Sequence, residues 1–402
     1  MRPIPNSIAA RAGELAEWRH DLHRHPELGY AEERTARVVA ERLAAFGFDA
    51  VETGIGGTGV VGVLHGRGDG AGERPAIMLR ADMDALPITE ATGAEYASRT
   101  PGVMHACGHD GHTTMLLGAA RHLAETRNFA GTVYFCFQPA EEGGAGAKAM
   151  LDDGLFERFR PRAVYGMHNW PGLAVGEFAV KDGPVMAAAG EFTIAITGKG
   201  GHAARPHDTR DPIVAGAQLV TALQTVVSRV VDPLQPAVLS VTRFRGGSAY
   251  NVIPDRVELM GTIRTFDEAV YAQIQVEVER IAGQLGGALG VAVEVGFGAN
   301  RYPPTVNDPA EADFVEGVLR AAFGDARVHR GHAPSMAGED FAFLAREVPG
   351  AYVLIGNGDS APLHHPAYDF SDAAAPLGAA YWVGLVERAL PREGARDAAG
   401  AG

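Results

Sequence analysis

Three apolar runs in this chain each stop at a group of acidic or imidazole side chains, and that pattern limits the fold more than any bulk property. Residues 76–81 lead into Asp82-Met83-Asp84, residues 132–137 into Gln138-Pro139-Ala140-Glu141-Glu142-Gly143-Gly144, and residues 163–167 into His168-Asn169-Trp170-Pro171. Short continuous apolar runs bounded by turn formers read as strands buried on both faces, the condition of a sheet covered by helices. A further strand is expected over 60–64. Residues 8–24, 31–46 and a stretch through about Glu125 have helical spacing, the first two split by Pro26 and Gly29. Strands alternating with helices, with polar residues gathered at strand ends, predict an α/β sheet whose site lies along one edge.

The pattern changes near residue 185. Residues 191–197, 237–244, 255–265 and 291–297 read as strands, and 211–231 and 268–289 as helices, with Pro212 in a first turn. The order β-α-β-β-α-β is the ferredoxin-like arrangement. Arg301-Tyr302-Pro303-Pro304 reads as an exit linker, after which helix and strand return with the His-rich Leu363-His364-His365-Pro366. A small α+β domain, 185–303, is therefore expected as an insertion into a larger one, 1–184 and 304–402. The 402-residue length fits two cores, and 391–402 reads as a frayed tail.

The net charge of −14 argues against nucleic acid or an anionic membrane surface as partner. Two cysteines, Cys107 and Cys136, exclude a disulfide framework and point to a reducing compartment. The N-terminus has no apolar signal core and no apolar run has the expected length of a bilayer span, so a cytoplasmic protein is expected.

The densest chemistry lies in His105-Ala106-Cys107-Gly108-His109-Asp110-Gly111-His112, just before an apolar helix. Metal sites need deprotonated ligands converging from several segments. Cys107 and His109 offer a thiolate and an imidazole; Glu142, His168 and a histidine of the 364–365 pair offer more. Five ligands exceed the needs of one catalytic ion and suit two ions about 3.5–4 Å apart sharing a bridging ligand. Adjacent Glu141 and Glu142 face opposite ways on an extended chain, so one ligates easily and the other is free to act as general base. His20, His23 and His25 read as structural, Cys136 as a core residue and His207 as solvent-facing. His112 suits the site or helix packing equally, and Glu339 and Asp340 suit a buttress. A thiol enzyme built on Cys107 and His109 would leave the other ligand types unexplained.

These residues resemble the M20 family of metallopeptidases and amidohydrolases, in particular the branch of hippurate hydrolases, N-acyl-amino-acid amidohydrolases and indole-acetyl-amino-acid hydrolases. The resemblance runs nearly the whole chain, through His23-Arg24-His25-Pro26-Glu27-Leu28, Arg80-Ala81-Asp82-Met83-Asp84, His105 to Asp110, Gln138 to Glu142, Gly166-Met167-His168-Asn169, Gly200-Gly201-His202, Asn251-Val252-Ile253-Pro254, Gly261-Thr262-Ile263-Arg264, Gly338-Glu339-Asp340-Phe341 and Leu363-His364-His365-Pro366. It implies a mixed-sheet dimetal hydrolase domain with an inserted ferredoxin-like dimerisation and lid domain. It implies Cys107, His109, Glu142, His168 and His364 as metal ligands with Cys107 the bridge, and Glu141 as catalytic base. It further implies His202 reaching a partner subunit's site, Asn251 and Arg264 holding the substrate's carboxylate end, and Asp84 orienting a ligating imidazole. In other branches a histidine stands at the position of Asp82 and an aspartate bridges; here Cys107 and His109 take over. The implied cofactor is two divalent ions: thiolate favours zinc, and manganese, cobalt or nickel suit the same set. The implied activity is cleavage of the amide bond of N-acyl amino acids, hippurate-like or N-acetyl, by a homodimer or tetramer. N-acetyl-diaminopimelate deacetylation and dipeptidase or carboxypeptidase action are the alternatives within the family.

Overall fold

The computed structural model describes residues 5–67 and 75–392, so most of the expected C-terminal tail lies outside the described residues. The chain forms two compact units: Met1–Val185 with Val306–Ala333 and Phe343–Gly402, and Met186–Thr305 with Pro334–Ala342.

The first unit is built on an eight-stranded mixed sheet. Its spatial order is Ala50–Ile55, Gly59–His65, Thr132–Gln138, Ala76–Asp82, Val164–Trp170, Gly350–Gly356, Phe178–Ala179, Val328–His329. The four central strands, Thr132–Gln138 to Gly350–Gly356, all run parallel. Their C-terminal ends therefore emerge at one edge, carrying Asp82, the Glu141-Glu142 turn and His168 with them. Ala76–Asp82 and Gly350–Gly356 are buried at every residue, as strands covered on both faces must be. Helices Ala12–Arg24, His109–Thr126 and Ala375–Ala389 pack on one another. His109–Thr126 is buried along most of its length, which its apolar, alanine- and leucine-rich sequence permits.

The first expected helix is two, Asn6–Ala9 and Ala12–Arg24, broken at Ala10 and Arg11. Ala50–Ile55 escapes sequence patterning because, at the sheet edge, only one of its six residues is buried and Glu52 and Thr53 interrupt its apolar run. Val164–Trp170 runs past the apolar stretch because His168 and Asn169 are themselves inside the sheet, opposite Leu354 and Ile355.

The second unit has an antiparallel sheet in the order Ala237–Gly246, Arg256–Thr265, Ala188–Thr197, Ala292–Phe297. Helices Pro212–Thr225 and Glu268–Leu289 pack on it and on each other, the ferredoxin-like order. Asp211 and Asp267 cap them, each accepting from two backbone N–H groups of the first turn. The stretch Pro212–Val230 corrects one expectation. An 18-residue window within its 19 residues has a mean hydropathy of 1.4, so by length and composition alone it reaches a bilayer span. The length arises because the helix continues into a π-turn, Val226–Val230, and its buried face (Ala215, Leu219, Leu223, Val226) is core of this unit.

Candidate metal centre

Asp84 organises the site. Its backbone carbonyl and its Oδ1 accept from His109 Nδ1 at 2.9 and 3.2 Å, and its Oδ2 accepts from the Glu142 backbone N–H at 2.9 Å. One carboxylate thus orients one ring and the turn bearing the paired glutamates. With Nδ1 bonded to Asp84, His109 turns Nε2 toward the cluster. That atom is fully buried, has no hydrogen-bond partner, and lies 3.8 Å from Asp82 Oδ2 and 4.0 Å from Glu142 Oε1. His168 is set the same way: Nδ1 donates to the Asn169 carbonyl at 2.6 Å, leaving Nε2 3.4 Å from Cys107 Sγ.

Gly108 makes the cysteine's position possible. It caps the helix His109–Thr126 at φ +85°, and a Cβ on it would stand 2.4 Å from both Asn169 Nδ2 and Tyr368 Oη. Those two atoms are the clamp: Asn169 Nδ2 donates to the Cys107 carbonyl at 2.6 Å, and Tyr368 Oη donates to Asn169 Oδ1 at 2.7 Å. His364 arrives from a loop in the left-handed region, φ +64°, with its N–H on the Ala106 carbonyl and Nε2 3.2 Å from Glu142 Oε1. Both histidines of the pair are exposed, but His365 Nδ1 accepts from the Ala367 backbone and only His364 joins the cluster.

Ligand atoms of Cys107, His109 and His168 lie within 4.8 Å of one another, and so do those of Cys107, Glu142 and His364. Cys107 is common to both groups. His109, Glu141 and Glu142 form a third. Electrostatics fits a cation here. Burial pushes His109 down, but Asp82, Asp84 and Glu142 outweigh it and hold the ring up at about 10. Burial, with Glu142, Glu141 and Asp82, pushes the Cys107 thiol well up. Burial pushes His168 well down, toward the neutral ligand form. Carboxylates facing a thiol and imidazoles are short of positive charge, which a divalent cation supplies while ionising the thiol.

The Peptidase family M20/M25/M40 model matches residues 78–388. The hippurate hydrolase of Campylobacter jejuni is 41% identical over 391 residues, covering 97% of this chain and 100% of that one. The N-acetyl-L-cysteine deacetylase of Bacillus subtilis is 42% identical, covering 92% and 86%. The chain belongs to the M20 family. Among solved structures, a dinuclear metal-binding M20 peptidase of Bacillus subtilis matches with a TM-score of 0.80 at 34% identity, over 95% of this chain and 99% of that one.

Within this M20 chain the remaining expected site residues belong to the second unit. His202 lies exposed on the short strand Gly201–His202, paired with Val252–Ile253, and its Nδ1 accepts from the Ala204 backbone at 3.0 Å. Asn251 is exposed beside it, its carbonyl accepting from Ala203 N. Arg264 is half-buried on Arg256–Thr265, donating to the Ile263 carbonyl at 2.9 Å and to Thr262 Oγ1, and burial pushes its guanidinium down. Glu339 is buried there, accepting from Phe341 N at 2.9 Å.

His112 is committed elsewhere: Nδ1 is 2.6 Å from Asp82 Oδ1, and Nε2 accepts from the Asn169 backbone N–H at 2.9 Å. His20 and His25 are hydrogen-bonded to Asp372 and to the Asp21 carbonyl, and Cys136 is fully buried. Sequence reasoning missed the clamp of Asn169 and Tyr368, whose only signal was a polar residue directly after His168. It also missed a buried cluster behind Asp110. Fully buried Arg19 donates to Asp110, Asp369 and Asp372, and His23 bonds Asp110 at 2.8 Å and Glu90 at 3.3 Å.

Proposed function

We propose that this M20 protein is a dinuclear metal-dependent hydrolase that cleaves the amide bond of N-acyl amino acids, with Glu141 as general base. The observation that carries the reading is the sharing of Cys107 between two ligand groups, with buried Glu141 beside Glu142 at their edge. Cys107, His109 and His168 would hold one ion and Cys107, Glu142 and His364 the other, zinc being the best match to the thiolate, with manganese, cobalt or nickel as substitutes. Two such ions supply Lewis acidity toward the amide carbonyl and a low pKa for water. Asp84 fixes the His109 tautomer that presents Nε2. Glu141 takes the proton of the attacking water as its oxygen bonds to the carbonyl carbon, and returns it to the amine nitrogen as the C–N bond breaks. His202 donates to the developing oxyanion, and Arg264 and Asn251 hold the carboxylate of the leaving amino acid. The first unit carries the ligands and the second serves as lid and dimerisation domain of a homodimer, so that a partner subunit supplies the imidazole. Free Cys107 and Cys136 support a reducing compartment, the cytoplasm.

One assay tests the assignment. Glu141→Gln keeps its metal but loses hydrolysis of N-acyl amino acids by about 10²–10⁴-fold, and His202→Ala loses about 10²–10³-fold. Arg264→Ala penalises acyl amino acids more than amides without a carboxylate. Mixed Glu141→Gln and His202→Ala chains regain activity through exchanged subunits. A fully active Glu141→Gln removes Glu141 as base, and no recovery under proven exchange removes the action of His202 across subunits.

A further inference from the structure

The motif His23-Arg24-His25-Pro26-Glu27-Leu28 runs on through Gly29, Tyr30 and Ala31 to Glu32, and this segment lies against the turn that carries Glu141 and Glu142. It is anchored beside Asp84: the Ala85 N–H donates to the Glu27 carbonyl at 2.8 Å, and Leu28 pairs with Ala85 in a parallel bridge. Gly29 is packed so closely that a Cβ on it would stand 3.0 Å from the Cα and Cβ of Ala140.

Glu32 stands at the N-cap of the helix Glu33–Ala45, yet its side chain makes no capping hydrogen bond there. Glu27 caps the helix instead, its carboxylate accepting from the Arg34 and Thr35 backbone N–H groups at 2.9 and 2.8 Å. Glu32 reaches across to the turn: Oε1 accepts from the Ala140 N–H at 2.8 Å and Oε2 from the Thr58 hydroxyl at 2.5 Å. The side chain is fully buried, and among the described residues no cation pairs with it. Burial outweighs these two hydrogen bonds and pushes the carboxyl up. A buried carboxylate without a cation is costly to keep.

The residue it grips is strained. Ala140 has φ +49°, in the left-handed region that a residue with a Cβ rarely adopts. Such a backbone persists only where its surroundings fix it. Here both polar groups are tied: Glu32 holds the N–H, and the Gly146 N–H donates to the carbonyl at 3.0 Å. Buried Glu141 comes next in the chain. Beyond it the Glu142 N–H donates to Asp84 Oδ2, and the Tyr30 hydroxyl donates to the Gly144 carbonyl at 2.6 Å. Two carboxylates from other segments thus share the turn. Glu32 fixes the residue before Glu141, and Asp84 fixes the amide of Glu142.

We propose that Glu32 is a positioning residue for the hydrolysis: through the Ala140 N–H it sets the backbone from which Glu141 reaches the attacking water, with Tyr30 clasping the far end of the turn. The proposal rests on the reading of Glu141 as general base.

The test measures kcat and KM for N-benzoylglycine on the metal-loaded full chain, with bound metal counted in every variant. Glu32→Ala lowers kcat roughly 10- to 100-fold, the cost of a misplaced catalytic group. Its KM stays near that of the wild type and its metal stays bound, because Asp84 still holds Glu142. Glu32→Gln, whose side-chain carbonyl can accept from the same N–H, regains most of the lost rate. In a Glu141→Gln background the group being positioned is gone, so adding Glu32→Ala costs nothing further. Should Glu32→Ala fail to fold, Tyr30→Phe decides, since this side chain is exposed: kcat falls a few-fold at unchanged KM and metal content. An unchanged kcat in the deciding variant, a loss of metal in step with the loss of rate, or a full further drop in the double variant overturns the proposal. A fully active Glu141→Gln overturns Glu141 as base and this proposal with it. An inactive Glu141→Gln beside a fully active Glu32→Ala overturns the proposal alone.

Discussion

Asp110 stands next to a ring that faces the ligand cluster, yet its own contacts point away from it. Its Oδ2 meets His23 Nδ1 at 2.8 Å and Arg19 at 3.4 Å, all three side chains out of contact with water. Burial pushes His23 down, but Asp110 and Glu90 outweigh it and the opposing charge of Arg19, holding the ring up at about 9. A histidine raised in the folded state contributes its full stability below its ordinary 6.5 and loses it as pH climbs through 9. From 6.5 to 9 the loss is on the order of 3 kcal/mol. Asp110, held well below the usual carboxylate range by His23, contributes the opposite branch, lost only on strong acidification. Thermal melts at constant metal loading are expected to fall between pH 6.5 and 9, and His23→Gln to flatten that fall while lowering stability near pH 6. An alkaline slope identical in the variant removes His23 as its source. The side chains that gather at this candidate site were legible residue by residue, because thiol, imidazole and paired carboxylates crowd into a few short segments. The Arg19 cluster was not, because its partners lie 91, 350 and 353 residues away and share no local pattern. Nor could spacing choose between His364 and His365; the approach of His364 Nε2 to Glu142 does.

At the scale of elements, the helix His109–Thr126 begins on a proposed ligand, and the turn that starts it is held by its neighbours. Gly108→Ala adds left-handed strain of about 1–2 kcal/mol and drives a methyl into the Asn169 and Tyr368 atoms that hold the Cys107 carbonyl. Lower melting temperature and weaker metal binding are expected together. Weaker melting with unaltered metal affinity would mean that the clamp does not position Cys107. Buried parallel strands were readable because their apolar runs end abruptly at chemistry. Two features broke that reading for one reason, that burial and polarity part company. The edge strand Ala50–Ile55 is exposed where strands are expected to be buried, and His168-Asn169 are polar where the strand is still inside the sheet. The apolar span Pro212–Val230 is the converse case: the mean hydropathy of its most apolar 18-residue window resembles a membrane segment, yet only 28% of that window is buried.

For the whole molecule, the two-unit organisation follows from long-range order in the sequence, an α/β pattern interrupted by β-α-β-β-α-β and then resumed, while the resemblance to the family rests on the motifs spread along it. The return of Pro334–Ala342 to the second unit's contacts was not legible, since those residues follow the resumed α/β pattern in sequence. All five proposed ligands lie in the first unit, at the ends of parallel strands and in the loops beside them, and that convergence is the core of the functional reading. The most direct test is metal-dependent hydrolysis by the full chain. Divalent zinc or manganese is titrated into chelator-stripped protein while N-benzoylglycine cleavage and bound metal are followed together. The account predicts no cleavage without metal and full activity at two ions per chain. Cleavage that survives complete metal removal, or none with two ions bound, would contradict it.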